Sequence, residues 1–393
     1  MLQVVGARLV DADTDTRGWL QADGGEIVAV GSGEPPPAGP EVGVVDAGGR
    51  MLTPGLIDMH AHGCGGGAFE AGVDQIRRAL AATARHGVTR SMVSLVTAGA
   101  EQLRQQVRDV AEVRDDPTGA AVLGVHLEGP CISPHRAGAH DPGLMQAPDP
   151  ELIGTLADLP GPDVPGPGAG GGLVQMVTIA PELPGAMAAI SALAARGIVV
   201  AVGHTEADHD TTRRAFDAGA RVLTHAFNAM PGIHHRAPGP VVAALQDPRV
   251  GVELILDGVH VHDQVAQLLW QAAPGRVALI TDAIAAAGAG DGDHQIGGLA
   301  VTVRDGIARL RGTDTIAGST VTLDAAVRRA AALGVGWSAA VRAATAVPSD
   351  LLGLGDRCGR LAPGQVADLV LWGNREIDRV WRDGHELSRG NRG

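Results

Sequence analysis

The sequence predicts a (β/α)8 TIM barrel carrying a small β-sandwich domain built from both chain ends, and three observations lead there. From Pro54 to about Val347, short apolar runs alternate with longer helical patterns such as VDQIRRALAATARHG, the mark of a parallel sheet with helical crossovers. Eight candidate strands fall near Leu56, Met92, Leu123, Met176, Val199, Val222, Leu254 and Leu279, and a barrel of eight such units usually takes about 250 residues. Five of the runs, GLIDMHAH, VLGVHLEGP, IVVAVGHT, RVLTHAFN and RVALITDA, break off into a metal-binding or proton-carrying residue. Barrel chemistry sits at the C-terminal ends of strands.

The two ends read differently. VVGARLVDAD and GGEIVAVGSG near the start, and GRLAPGQVADLVLWG and DRVWRDGHEL after Gly359, are short alternating runs between Gly and Pro turns, as expected of a small antiparallel sheet. The expected division is therefore 1–53 with 359–393 as the β domain and 54–358 as the barrel. PGPDVPGPGAGGG, ending at Gly172, has no periodicity and nothing to bury, so a mobile surface insertion is expected at 159–172.

Composition narrows the function classes. Hydrophobic residues make up 45% and charged residues 19% of the 393, as in a soluble globular protein, and no run of eighteen apolar residues suggests a membrane span. The start lacks the basic and apolar regions of a signal peptide, which makes the cytoplasm the expected compartment. A formal charge of −13 argues against a nucleic-acid partner. Cys64, Cys131 and Cys358 are widely spaced, so neither a disulfide framework nor a zinc ribbon is expected. The chain has no Lys and no Tyr; its 31 basic residues are all Arg.

The strand endings supply the chemistry. His60 and His62 in DMHAH are two apart, which on a strand sends both imidazoles to one face; an isolated pair of this kind could equally be two satisfied polar residues. Glu128 in HLEGP follows an apolar strand and precedes a Gly-Pro turn, and a buried carboxylate there needs a cation. His204 and His225 end later strands, so one carboxylate and two imidazoles from separate strands converge. That donor set suits a divalent transition metal such as zinc or iron. Asp282 in ITDA ends the eighth strand, where a carboxylate can take a proton from water and return it to a leaving group; its alternative role is a helix N-cap.

The HxH after strand one and the late Asp are similar to the amidohydrolase superfamily. HLEGP, GHT, THAFNAMPGIHHRAPG, LDGVH and TDA together resemble its N-acetylglucosamine-6-phosphate deacetylase family, over nearly the whole chain. The resemblance implies one or two divalent metals per subunit, zinc first and iron, cobalt or manganese as alternatives. Glu128, His204 and His225 would form one site and His60 with His62 a conditional second. Related enzymes bridge two metals with a carbamylated Lys; this chain has none, and the resemblance gives that task to Glu128.

It further implies that His140, beside Ala139 in RAGAHDP, contacts the sugar and polarises the acetyl carbonyl. Asn228, Ala229 and Arg236 would bind a phosphate, and the physical case for an Arg fork there is independent. His260, with Asp257 shaping its turn, and Ile316, Ala317 and Gly318 are the remaining expected substrate contacts. A homodimer is implied, its Arg reaching into the adjoining subunit's pocket. The implied reaction is hydrolysis of N-acetyl-D-glucosamine 6-phosphate to D-glucosamine 6-phosphate and acetate, in amino-sugar catabolism, with Asp282 as general base and acid. The alternatives are the galactosamine epimer, another cyclic-amide amidohydrolase, and a non-catalytic barrel. Cys131 stands where an aromatic residue is often found in the family, and Cys64 follows His62 closely; both are read as structural.

Overall fold

The computed structural model describes residues 1–158, 172–374 and 376–387. The expected insertion therefore lies outside the described residues except for Gly172.

Eight parallel strands, Leu56–Asp58, Val88–Val96, Ala121–Glu128, Val174–Ile179, Val199–Val202, Val222–Leu223, Gly251–Ile255 and Val277–Ile280, pair in sequence order. All eight contain or adjoin the positions predicted for them. No ladder joins the first strand to the eighth. Just beyond their C-terminal ends the backbone does join them, the Asp282 N–H donating to the His60 carbonyl at 2.8 Å and the His62 N–H to the Ala283 carbonyl at 2.8 Å. The barrel is thus closed by the segments that carry His60, His62 and Asp282.

Helices cover the outside because their apolar residues recur at helical spacing. In Val73–Arg85 the buried positions include Ile76, Ala79, Leu80 and Thr83, and Gly87, with φ 81°, lets the chain turn back after the helix. The helix His209–Ala218 starts on Asp208, whose side chain accepts from the Thr211 N–H. Inside the barrel, the lower layer is apolar: Ile57, Met92, Met176, Ala201, Val222, Ile255, Ala278 and Ile280 share one cluster with Val347, Leu352 and Leu354 beneath. Because side chains alternate along a strand, the next inward residues on several strands, two residues on from Met92 and Met176, are the polar Ser94 and Thr178. There the His126 ring lies between Ser94 Oγ at 2.9 Å and Thr178 Oγ1 at 2.8 Å. The candidate ligands stand above that layer.

The chain ends form a second eight-stranded sheet. It is mixed rather than antiparallel: Leu2–Val10 runs antiparallel to Asp15–Asp23 but parallel to both Gly43–Asp46 and Met51–Pro54. A register shift against Asp15–Asp23 falls between Val4 and Ala7 at Gly6, whose φ is 63°. The front half of the first strand pairs with Gly43–Asp46 and its back half with Met51–Pro54. Leu369–Trp372 lies antiparallel to Met51–Pro54, which brings the two ends of the chain together. The strands share a core of Leu9, Leu20, Ile27, Leu52, Leu369, Leu371 and Trp381.

One element is absent from the sequence reading. After the eighth strand, Gly292–Ile296, Leu299–Arg304 and Ile307–Leu310 make a three-stranded antiparallel sheet. Its turns, Gly297-Gly298 and Asp305-Gly306, have positive φ at both residues, the hairpin turn that Gly-Gly and Asp-Gly favour. The sheet packs through Ile296, Val301 and Val303 on Ala139, Ile284 and Ala317 at the barrel mouth. No helix among the described residues is long and apolar enough to cross a membrane.

Trp381 is the largest fully buried side chain. Trp381→Ala is expected to cost about 3–5 kcal/mol, seen as a lower denaturation midpoint by chemical unfolding; an unchanged midpoint would contradict the packing described.

Candidate metal centre and substrate cavity

Glu128, at the end of the third barrel strand, is buried at 2% exposure and meets five imidazoles. Its Oε1 lies 3.2 Å from His60 Nε2, 3.2 Å from His204 Nε2 and 3.1 Å from His225 Nε2. Its Oε2 lies 3.0 Å from His62 Nε2 and 3.3 Å from His140 Nε2. Asp282 Oδ1 completes the group, 3.2 Å from His62 Nε2 and 3.5 Å from His60 Nε2. Burial alone would raise the Glu128 carboxyl, but the surrounding imidazoles, His60 foremost, hold it well below its ordinary range. Asp282 behaves likewise: the hydrogen bond from His62 and the charge of His60 outweigh its burial and keep it ionised.

The far nitrogens decide what each ring presents to the centre. His204 Nδ1 donates to the Arg136 carbonyl at 2.8 Å and His62 Nδ1 to the Ser94 carbonyl at 3.2 Å. His60 Nδ1 is 3.0 Å from Glu253 Oε2. In the neutral rings these bonds leave Nε2 as a bare lone pair aimed at carboxylate oxygens, and His204 Nε2 also sits 3.0 Å from His225 Nε2. Acceptors facing acceptors need a cation between them. Where protons alone are available, the carboxylates push His62 up to about 9 despite its burial. The donor set therefore fits one or more divalent cations, with His60, His62, Glu128 and Asp282 clustered on one side.

His140 differs. Its Nδ1 accepts from the Thr97 backbone N–H at 3.2 Å, so the proton of the neutral ring is on Nε2. Burial keeps the ring neutral, down to about 4. Although it lies within ligand distance of Glu128 and His204, His140 presents a hydrogen-bond donor and not a lone pair.

Three residues of the centre carry backbone strain: His204, His225 and Asp282 have φ of 46°, 25° and 48°. A left-handed conformation costs a side-chain-bearing residue of order 1–3 kcal/mol and persists where its surroundings over-determine it. Here the Ser133 N–H donates to the His204 carbonyl at 2.9 Å, Asn228 N–H to His225 at 3.0 Å and Ser319 N–H to Asp282 at 2.7 Å.

The centre lies at the floor of a cavity of about 440 Å3. Of the residues expected to touch substrate, Ala139, His140, Asn228, Ala229, His260, Ile316 and Gly318 line it. Three do not. Asp257 lies behind His260, its carboxylate 2.7 Å from His260 Nδ1. Ala317 is wholly buried in the cluster under the three-stranded sheet. Arg236 lies in an exposed turn bridged between His234 and Ala237, away from this cavity. Cys131 and Cys64 are buried thiols outside the cavity lining, pushed by burial up to about 12 and 11.

Several residues of the site were not foreseen from sequence. Arg136, Ile296, Asp314 and Thr315 line the cavity. Below the ligands, Glu253 is fully buried between His60 Nδ1 and the His225 N–H, the latter at 3.2 Å. Asp58 accepts from Thr281 Oγ1 at 2.6 Å and from the His60 N–H at 3.3 Å, its carboxyl raised by burial to about 6. Their only signal is a lone carboxylate inside an apolar run, in GLIDMH and in VELIL.

Comparison with known proteins agrees with this geometry. The Amidohydrolase family model matches residues 51–387. An N-acetylgalactosamine-6-phosphate deacetylase of Escherichia coli O157:H7 is 36% identical over 94% of this chain and 96% of its own. The human N-acetylglucosamine-6-phosphate deacetylase is 36% identical over 83% of this chain and 80% of its own. Among solved structures, an N-acetyl-D-glucosamine-6-phosphate deacetylase of Mycobacterium smegmatis, in an aspartate-to-alanine variant complexed with N-acetyl-D-glucosamine 6-phosphate, superposes with a TM-score of 0.89. It is 43% identical and covers 99% of both chains. The chain belongs to the amidohydrolase family and groups there with the N-acetylglucosamine-6-phosphate deacetylases.

Proposed function

We propose that this protein hydrolyses N-acetyl-D-glucosamine 6-phosphate to D-glucosamine 6-phosphate and acetate. The observation that carries the reading is the pairing, around one shared carboxylate, of an ionised base, Asp282, with a neutral donor, His140. Amide hydrolysis needs both, and the similarity to the mycobacterial deacetylase supplies the substrate.

Glu128, His204 and His225 would hold one divalent metal, and His60 and His62, sharing Glu128, a second; zinc suits this nitrogen and oxygen set. When bound, the metal polarises the amide carbonyl and lowers the pKa of water. Asp282 takes a proton from the attacking water as the oxygen–carbon bond forms. The carbonyl π electrons move to oxygen, where His140 donates its Nε2 proton in a hydrogen bond to the developing oxyanion. On collapse the carbon–nitrogen bond breaks, Asp282 passes its proton to the leaving nitrogen, and acetate and the free amine result.

Asn228 and the Ala229 backbone receive the sugar phosphate from the cavity wall, and His260, oriented by Asp257, is a further substrate contact. Arg236, on its exposed turn, supplies the guanidinium to the adjoining subunit of a homodimer. Ile316 and Gly318 border the sugar. The relative named for the galactosamine epimer makes that substrate the second reading.

Asp282→Asn is expected to keep fold and metal while lowering kcat about 10^2–10^4-fold; turnover near wild type in an acetate-release assay would remove Asp282 from this role. Dialysis against a chelator should abolish turnover and lower the thermal midpoint, and zinc should restore both; full activity in verified metal-free protein would contradict the metal reading. Arg236→Ala should reduce kcat/KM for the 6-phosphate about 10–100-fold, the value of a charged hydrogen bond, and leave unphosphorylated N-acetylglucosamine unaffected. Equal rates on phosphorylated and unphosphorylated sugar in the wild type would sink the phosphate assignment.

A further inference from the structure

Glu253 is not a candidate ligand and does not line the site cavity, yet it is one of the most buried carboxylates among the described residues, with no exposed surface. It sits on the seventh barrel strand in the apolar run Gly251–Ile255. Its Oε2 faces two donors from two other strands: His60 Nδ1 at 3.0 Å and the backbone N–H of His225 at 3.2 Å. Its Oε1 has no hydrogen-bond partner. A buried carboxylate this poorly solvated is costly unless positive charge lies close by. Among the described residues no Arg is paired with it, and the group that connects it to charge is the His60 imidazole, whose other nitrogen points to Glu128 and Asp282.

We propose that Glu253 is the positioning residue of the second metal position, the one on His60 and His62. The inference rests on the two-metal reading above. By accepting from Nδ1–H, Glu253 holds His60 in the tautomer that turns a bare Nε2 toward the centre, and it keeps the ring from rotating. Partners of this kind commonly change metal affinity by about 10–100-fold when removed. The second bond gives Glu253 a further task. His225 has a strained backbone, with φ 25°, and its N–H is held by the same oxygen that holds His60. The carboxylate therefore ties a ligand of one metal position to a ligand of the other. A glutamine in its place could turn its single amide oxygen to both donors, but it has no negative charge with which to raise the basicity of His60 Nε2.

The test is metal stoichiometry, by elemental analysis after equilibration with limiting and saturating zinc, on the wild type, Glu253→Gln, His60→Asn and the double variant. The expected result is two equivalents in the wild type, with the weaker equivalent lost or bound about 10–100-fold more weakly in Glu253→Gln. The double variant should bind no less than His60→Asn alone, because the glutamine oxygen can still accept from the His225 N–H and the lost charge acts through His60. Cobalt-substituted Glu253→Gln should lose the absorption of one of the two positions, a change that loss of packing alone would not produce. Two tight equivalents in Glu253→Gln overturn the proposal while leaving the two-metal reading intact. A single equivalent in the saturated wild type overturns both. Should Glu253→Gln fail to fold, wild-type holoenzyme labelled with 15N-histidine decides. A slowly exchanging Nδ1 proton that disappears in His60→Asn supports the proposal, and its absence from the wild type overturns it.

Discussion

One carboxylate, Glu128, shared among five imidazoles is the constraint on which the rest of this molecule depends. Its two oxygens receive Nε2 atoms from His60, His62, His140, His204 and His225 at 3.0–3.3 Å, and these residues come from well-separated parts of the chain. Such a cluster exists only if the strands are brought into register around it. A single strand slipped by one residue would turn its ligand to the other face of the sheet. The centre therefore demands the barrel as much as the barrel presents the centre.

Closure of the barrel shows this mutual dependence most directly. The first and eighth strands meet through backbone bonds of His60, His62, Asp282 and Ala283, and not through a regular ladder. Those residues also carry candidate ligands and the candidate base, so the position of Asp282 against His62 is set by the same contacts that seal the sheet. The left-handed conformations of His204, His225 and Asp282 belong to this picture. Each strand must stop abruptly so that its last side chain points to the axis, and hydrogen bonds from neighbouring loops hold the strained turn in place.

Beneath the ligands the barrel changes character in layers. The lowest inward residues are largely apolar and close-packed, Ser94, His126 and Thr178 lie above them, Glu253 reaches His60 from below, and the uppermost are the candidate ligands. The polar middle layer satisfies ring nitrogens and backbone groups that apolar neighbours would leave unpaired. It converts a set of flexible imidazoles into rings with assigned donors and acceptors. His140 is the clearest product of that assignment: the Thr97 N–H makes it a donor among residues that otherwise present lone pairs.

Much of this was legible in the sequence because it is written in local pattern. Apolar runs of strand length marked all eight barrel strands, and a titratable residue at the end of a run marked a candidate ligand or base, since strand ends are where this fold exposes polar side chains. The Gly-Gly and Asp-Gly turns of the three-stranded sheet were equally local and went unread. Other features have no local signature. Glu253 and Asp58 look like ordinary interruptions of apolar strands, and only the closed barrel shows that one faces His60 and His225 and the other Thr281 and the His60 backbone. The parallel pairing of the first strand with Gly43–Asp46 and Met51–Pro54 depends on where the chain returns to it, which no local pattern records. Motif likewise grouped Arg236 with Asn228, yet the turn carries it to the surface. The sequence by itself determined the order of the strands and the identity of the converging donors, because both follow from periodicity along the chain. Only the tertiary structure decided which nitrogen of each ring faces the centre and which carboxylate holds it there, because those choices are made by neighbours across the barrel axis.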